Sequence, residues 1–297
     1  MNRNLKDKLI EGLTGISVLI IILVILLMLF IIVKGGWSEL NWRFISEYPR
    51  DGMTKGGIFP AIIGTALMTL IMTMAAVPFG VITAVYLAEY ANERSVFART
   101  IRFAVKTLAV VPSIIFGLFG LGFFIGFVGK DMDALFRGGE LKWGQPNILW
   151  ASLTMALLTL PVVIVSVEEA IRTIPREMRE ASLALGATKW QTILKVVIPG
   201  SGTGILTGTI LAISRGAGEV APILFTGAAY YLSHIPHSLS DQFMSLGYHI
   251  YIMSTQSANV DETQPIQFAT TLVLLILTFS LNAVAVTLRY RIRNKAK

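Results

Sequence analysis

The sequence predicts an all-α membrane protein of six transmembrane helices with both termini on the cytoplasmic side, and three observations predict it. The 297 residues are 54% hydrophobic and 14% charged, against about 25% charged in a soluble domain. Six stretches approach or exceed the ~20 apolar residues that cross ~30 Å of hydrocarbon. Lys and Arg are unevenly divided between the two sets of connections.

The apolar runs place spans at about 12–33, 58–88, 103–128, 148–168, 200–222 and 267–290. Backbone groups in lipid must find partners within the segment, so each span is expected to be a helix. The second run is long enough to tilt or to project beyond the hydrocarbon. Pro78, Pro112 and Pro161 lie inside or near the ends of spans, where each removes one helical hydrogen bond. The first run is too long for a signal-peptide core and lacks a small-residue cleavage site, so it reads as a retained span.

Seventeen of the 25 Lys and Arg residues fall at the N-terminus, in 94–106, in 172–195 and at the C-terminus. Seven lie on the opposite side, and Arg215 lies within the fifth span. Positive charge stays inside, so both termini and the connection 169–199 are cytoplasmic. The net charge of +7 follows this topology and forms no basic stripe with interleaved aromatics, which argues against a nucleic-acid partner. There is no cysteine, which excludes thiolate chemistry.

The cytoplasmic connection ends in EASLALGATKWQTILKVVIP, residues 180–199. Good helix formers are interrupted by Gly186, which suits a turn between two short helices. Pro175 stands at a helix start, and Pro199 either stops the second helix or opens the next span. The expectation is a helix–turn–helix finger on the inner face. Glu180, Ala181, Ser182, Gly186 and Pro199, with three residues before the glycine and Val196-Val197-Ile198 ahead of the proline, resemble the EAA loop of ATP-binding-cassette importer permeases. That pattern is E-A-A-x3-G-x9-I-x-L-P, and this chain departs from it by Ser, Val and Ile in three places. The resemblance implies the type I (MetI-like) architecture and a coupling helix that docks on a cytoplasmic ATPase. Residues 1–57 then hold the first span and an outer loop, 58–290 the permease domain with its coupling loop at about 169–199, and 291–297 a cytoplasmic tail.

LAISRGAGEVAPILFTG (211–227), AAVPFGVITAVYLAEY (75–90) and VVPSIIFGLFG (110–120) further resemble the phosphate-importer permeases, the PstA branch more than PstC. The partners this implies are a homologous PstC-like permease, two PstB-like ATPases and a PstS-like extracytoplasmic phosphate-binding protein, in a bacterial cytoplasmic membrane. No Walker G-x-x-x-x-G-K-[ST] occurs in the chain, so ATP and Mg are expected on the ATPase chains, with no cofactor or metal and no catalytic residue here. The permease of another oxyanion importer is the neighbouring alternative. An ion-coupled secondary transporter is a different one, but no two-half repeat is visible.

Arg215 and Glu219 stand four apart in the fifth span and, on a continuous helix, share a face. An arginine in hydrocarbon costs at least ~2.5 kcal/mol on insertion scales, so it needs a polar surrounding and a partner. A straight helix places it about 24 Å beyond Pro199. The pair reads as a phosphate contact or gate, or as an ion pair between helices. Gly200, Gly204 and Gly208 form a small-residue face for helix packing, and Gly216 and Gly218 bracket the charged turn. His234, His237 and His249 read as solvated or interface residues, Glu168 and Glu169 as a solvated patch, and Glu89 and Glu93 as an inner-face pair. Within 223–266, FMSLGYHIYIMS suggests a short interfacial helix beside an outer gate or a binding-protein landing surface.

Overall fold

A computed structural model describes residues 3–53, 55–92, 94–257 and 260–295. Glu93 lies outside the described residues. In chain order the elements are α1 (Arg3–Gly36), α2 (Trp42–Ser46), the strands β1 (Pro49–Arg50) and β2 (Lys55–Gly56), and α3 (Phe59–Val85), which widens by one turn to Tyr90. Next come α4 (Val96–Leu108), α5 (Ser113–Phe119), a wide-turn helical stretch Gly120–Gly129, α6 (Lys130–Arg137) and α7 (Ile148–Arg172). Then follow α8 (Arg176–Ala184), α9 (Lys189–Thr192), a wide turn Ile193–Val197, α10 (Ile198–Gly200), α11 (Gly202–Gly216), α12 (Leu246–Thr255) and α13 (Val260–Lys295). The strands pair antiparallel, Pro49 with Gly56 and Arg50 with Lys55, in a small outer hairpin.

Among the described residues, five apolar helices are long enough to cross a bilayer: Ile10–Gly36, Phe59–Tyr90, Ser113–Arg137, Ile148–Arg172 and Thr263–Arg291. The sixth crossing is a bent pair, Lys189–Gly200 and Gly202–Gly216, at 63°. Helix α7 is the centre. Met68, Met72 and Ala76 of α3 pack on Ala151, Met155 and Leu158 of α7, with Phe116, Ile223 and Phe243 closing the cluster. On its other side α11 lies against α7 through small residues: a Cβ added at Gly204 would overlap Ala170, and one at Gly208 would press on Ser166. Gly204→Val is therefore expected to force the two helices apart, at a cost of about 1–3 kcal/mol. A melting curve of the detergent-solubilised chain checks this.

Threonines in the spans return their hydroxyls to the carbonyl four residues back, as Thr69 does to Thr65 and Thr154 to Trp150. This satisfies their polar groups where no water is present. Helix α1 is exposed along its apolar length and meets the bundle at its outer end, where Gly35 and Gly36 abut Phe268 and Ala269.

Two spans differ from expectation, the third running Ser113–Arg137 in place of 103–128 and the fifth stopping short of 222. The third span begins at Ser113, because Pro112 and the break at 109–112 separate it from α4, whose Arg99, Arg102 and Lys106 keep it at the inner surface. The fifth span ends at Gly216 and not near 222, since residues 217–227 turn back into the bundle to supply Ile223. Pro199 also sits inside a helical arm and does not end it. It has no N–H to donate to the Lys195 carbonyl, and the wide turn Ile193–Val197 precedes it; the break falls at Ser201.

The outer connection folds down as well. Carbonyls of Thr226, Asp241 and Leu239 accept the first backbone N–H groups of α7, at Asn147, Ile148 and Leu149. Those donors would otherwise have no partner. The expected short helix exists as α12, but it is packed and not lying free at the interface: Leu246, His249, Ile252 and Met253 are buried. The Leu246 N–H donates to the Thr65 hydroxyl at 2.9 Å, pinning its start to α3. His249, expected to be solvated or at an interface, is instead buried, 3% exposed, with both ring nitrogens unpartnered among the described residues. Burial pushes its pKa down to about 4, so it is neutral near pH 7.

Candidate coupling and pathway sites

The finger is built as its sequence suggests. Helix α8 closes on Gly186, whose φ of +85° is open to glycine and strained for other residues. Thr188 and Gln191 then start α9 with reciprocal side-chain-to-backbone bonds, a capping box. The hydroxyl of Ser182 lies 2.9 Å from that of Thr192 and ties the two arms together. Ile193 and Val197 of the second arm insert among Ala84, Val85, Val167 and Ile171. A push on the finger is therefore delivered to α3 and α7 through packed side chains.

Arg179 fixes the first arm. Its Nε and Nη2 donate to Glu89 Oε1 at 3.0 and 2.9 Å, and Nη2 also donates to the Ile171 carbonyl at 2.9 Å. Nη1 donates to the Ile174 carbonyl. One guanidinium thus joins α8, the last turn of α7 and the end of α3, while satisfying carbonyls that a helix end leaves open. The pair is largely sheltered, with Arg179 20% and Glu89 11% exposed. Lys189 Nζ lies 4.6 Å above the Tyr90 ring, a second tie to the end of α3.

Glu180 and Ala181 are exposed on the same helix, and Glu180 borders a cleft behind it. Beyond them the tip presents Leu183, Leu185 and Trp190 to solvent, Leu185 at 90%. An apolar group on a polar projection marks a protein contact. The expectation for Glu168 needs correction: its Oε1 takes Arg102 Nη1 at 2.7 Å and Arg172 Nη2 at 3.0 Å, and its side chain is 13% exposed. It holds α4 to α7.

Arg215 and Glu219 do meet, with Nε 3.7 Å from Oε1. They do not share a helix face, because α11 ends one residue after Arg215 and Glu219 stands on the following turn. The bend at Ser201 also replaces the straight-helix distance: Arg215 lies about 20 Å along α11 from Gly202. The guanidinium is 38% exposed, with no other partner among the described residues. A pair this loose and this open holds its charges together weakly, at about 0–1 kcal/mol. The neighbouring Ser214 hydroxyl reaches Asn282 Oδ1 of α13 at 2.9 Å. Gly216 is a packing position against Met72, whereas Gly218 has open space where a side chain would be.

Residues 76–294 match the family of binding-protein-dependent transport system inner membrane components. The chain belongs to that family. The permease is 34% identical over 226 residues to a probable ABC transporter permease protein, YqgI, of Bacillus subtilis, covering 76% of this chain and 72% of that one. It is 33% identical over 244 residues to the phosphate transport system permease protein PstA of Haemophilus influenzae, covering 82% and 77%. Its fold is similar to a chain of a bacterial alginate ABC transporter, with a TM-score of 0.71, 14% identity and coverage of 97% and 96%. A chain of the MetNI methionine ABC transporter gives 0.59, 19%, 78% and 94%.

The permease thus has the type I importer fold expected of it, and its finger coincides with the EAA motif. Sequence reasoning missed Arg179 as the anchor and Leu185 and Trp190 as the exposed tip. The first left a signal: Arg179 and Glu89 are opposite charges at the same inner boundary. The tip residues left none, since apolar residues within a helical stretch read as packed.

Proposed function

We propose that the permease is the PstA-like transmembrane subunit of an ATP-driven inorganic phosphate importer. The observation that carries the coupling half of this reading is the finger, an apolar tip on a rooted cytoplasmic lever. Leu185 and Trp190 would seat in a PstB-like ATPase, one of two, which binds ATP and Mg. Closure of the ATPases would push α8 and α9, and Arg179 and the Ile193–Val197 plug would carry the motion to α3 and α7. The half-exposed Arg215–Glu219 pair would face a homologous PstC-like chain across the pathway. There the free nitrogens of the guanidinium fork suit two oxygens of a tetrahedral anion, and Glu219 would compete with the anion and speed its release. A PstS-like binding protein would deliver phosphate at the outer surface formed by the hairpin and residues 223–243. The phosphate assignment is supported by the relatives named PstA and by the motif around Arg215.

The test is the complex reconstituted in lipid with its ATPase and binding protein. ATP hydrolysis is expected to rise with phosphate-loaded binding protein and not with sulfate or molybdate. Stimulation by another oxyanion alone would move the substrate assignment, and hydrolysis indifferent to every loaded binding protein would end the importer reading. Leu185→Asp is expected to prevent co-purification of the ATPase.

A further inference from the structure

Two adjoining recesses lie where the inner ends of α3 and α7 meet α4 and α8. One, of about 500 Å³, lies behind α8 and includes Arg102, Arg172, Arg176 and Arg179 in its wall. The other, of about 340 Å³, is lined by Leu87, Val105 and Val165, by Arg102, Lys106 and Arg172, and by Glu168 and Glu169. Leu87, Arg102 and Arg172 are common to both.

The charges in this seam are not balanced. Arg102 and Arg172 share a single oxygen of Glu168, and the Glu89 oxygen is taken by Arg179. Arg176 and Lys106 engage no carboxylate among the described residues, and both are exposed. Glu169 lines the second recess and Glu180 the first, so the combined lining sets five cations against four carboxylates, and the excess rests on Lys106 and Arg176. Beside the cationic rim, α4 turns large apolar groups outward: Phe97 is 64% and Phe103 70% exposed, and Val110 in the following break is 81% exposed. A basic amphipathic helix at the inner surface, with a recess next to it that is lined by both apolar and cationic groups, has the two halves of a lipid site.

We propose that this seam binds an anionic phospholipid of the inner leaflet. Arg102, Lys106 and Arg172 hold its headgroup phosphate, with Arg176 nearby, and an acyl chain lies along Phe103 and Val110. The shared chemistry is a phosphate oxyanion, and the apolar flank selects the lipid over the free ion. The seam adjoins the anchor, since Arg172 and Arg179 border the same cleft. A bound lipid would stiffen the joint between α4, α7 and α8.

The experiment is a titration of the purified permease-containing complex, in zwitterionic detergent, with phosphatidylglycerol, phosphatidylcholine or inorganic phosphate, counting retained lipid by native mass spectrometry. Retention of phosphatidylglycerol in preference to phosphatidylcholine is expected, with about a fivefold loss of affinity for Lys106→Gln and a similar loss for Arg176→Gln. Neither side chain is buried, so folding is not at stake, and a melting curve confirms it. Equal retention by both variants overturns the proposal. So does equal retention of phosphatidylglycerol and phosphatidylcholine, or displacement of the lipid by millimolar inorganic phosphate, which would make this a free-ion site.

Discussion

Arg179→Ala is expected to leave phosphate uptake near background while the chain still inserts. Alanine removes both bonds to Glu89 and the caps on Ile171 and Ile174, leaving a sheltered carboxylate with no counter-charge. Removing one partner of such a pair costs on the order of 3 kcal/mol, which shifts the docked first arm of the finger toward a detached state by about a hundredfold. The lever would then swing without moving α3. The first measurement is limited proteolysis, with cleavage of 173–188 much faster in the variant. The second is uptake in vesicles, which should fall although the ATPase still binds through Leu185 and Trp190. Glu89→Gln should be milder, because Arg179 keeps its carbonyl partners. A double-mutant cycle between the two positions should give a clear coupling energy. Wild-type uptake in Arg179→Ala would remove the anchor from the mechanism.

Arg215→Gln should reduce uptake by roughly a hundredfold with the complex still assembled, as judged by co-purification. Glutamine keeps a polar side chain of similar reach but loses the charge and the fork. A charged hydrogen bond is worth about 1.5–3 kcal/mol, and losing it where the anion passes appears directly in the transport rate. Assembly should survive because the pair to Glu219 is loose and partly exposed. If uptake is unchanged, the residue is no pathway contact. If the complex fails to assemble, the pair is a structural bridge to the neighbouring permease. Glu219→Gln separates the roles further: a competitor for the anion, once removed, should tighten apparent binding and slow release.

Much of this chain was legible in advance because a bilayer restricts the options so strongly. Long apolar runs must be helices there, and the distribution of Lys and Arg sets their direction. The second, fourth and sixth spans accordingly fall close to their expected places. Gly186 between two runs of helix formers announces the finger, since turns are local chemistry; the cap that Thr188 and Gln191 form was equally local and went unread. The errors came where a local pattern was overruled by contacts far along the chain. Arg215 and Glu219 have helical spacing, yet the helix stops at Gly216 so that Ile223 can reach the core. Glu168 looked solvated because Arg102, which binds it, is 66 positions away.

The sequence by itself determined the membrane topology and the cytoplasmic finger, because hydropathy, turn geometry and charge placement act over a few residues. The tertiary structure alone decided that Arg179 pins the finger to α3 and α7, that Leu185 stands bare at the tip, and that α12 packs one face into the bundle and buries His249 there. Each of those depends on which surfaces pack together, and packing joins residues by shape and distance regardless of their separation along the chain.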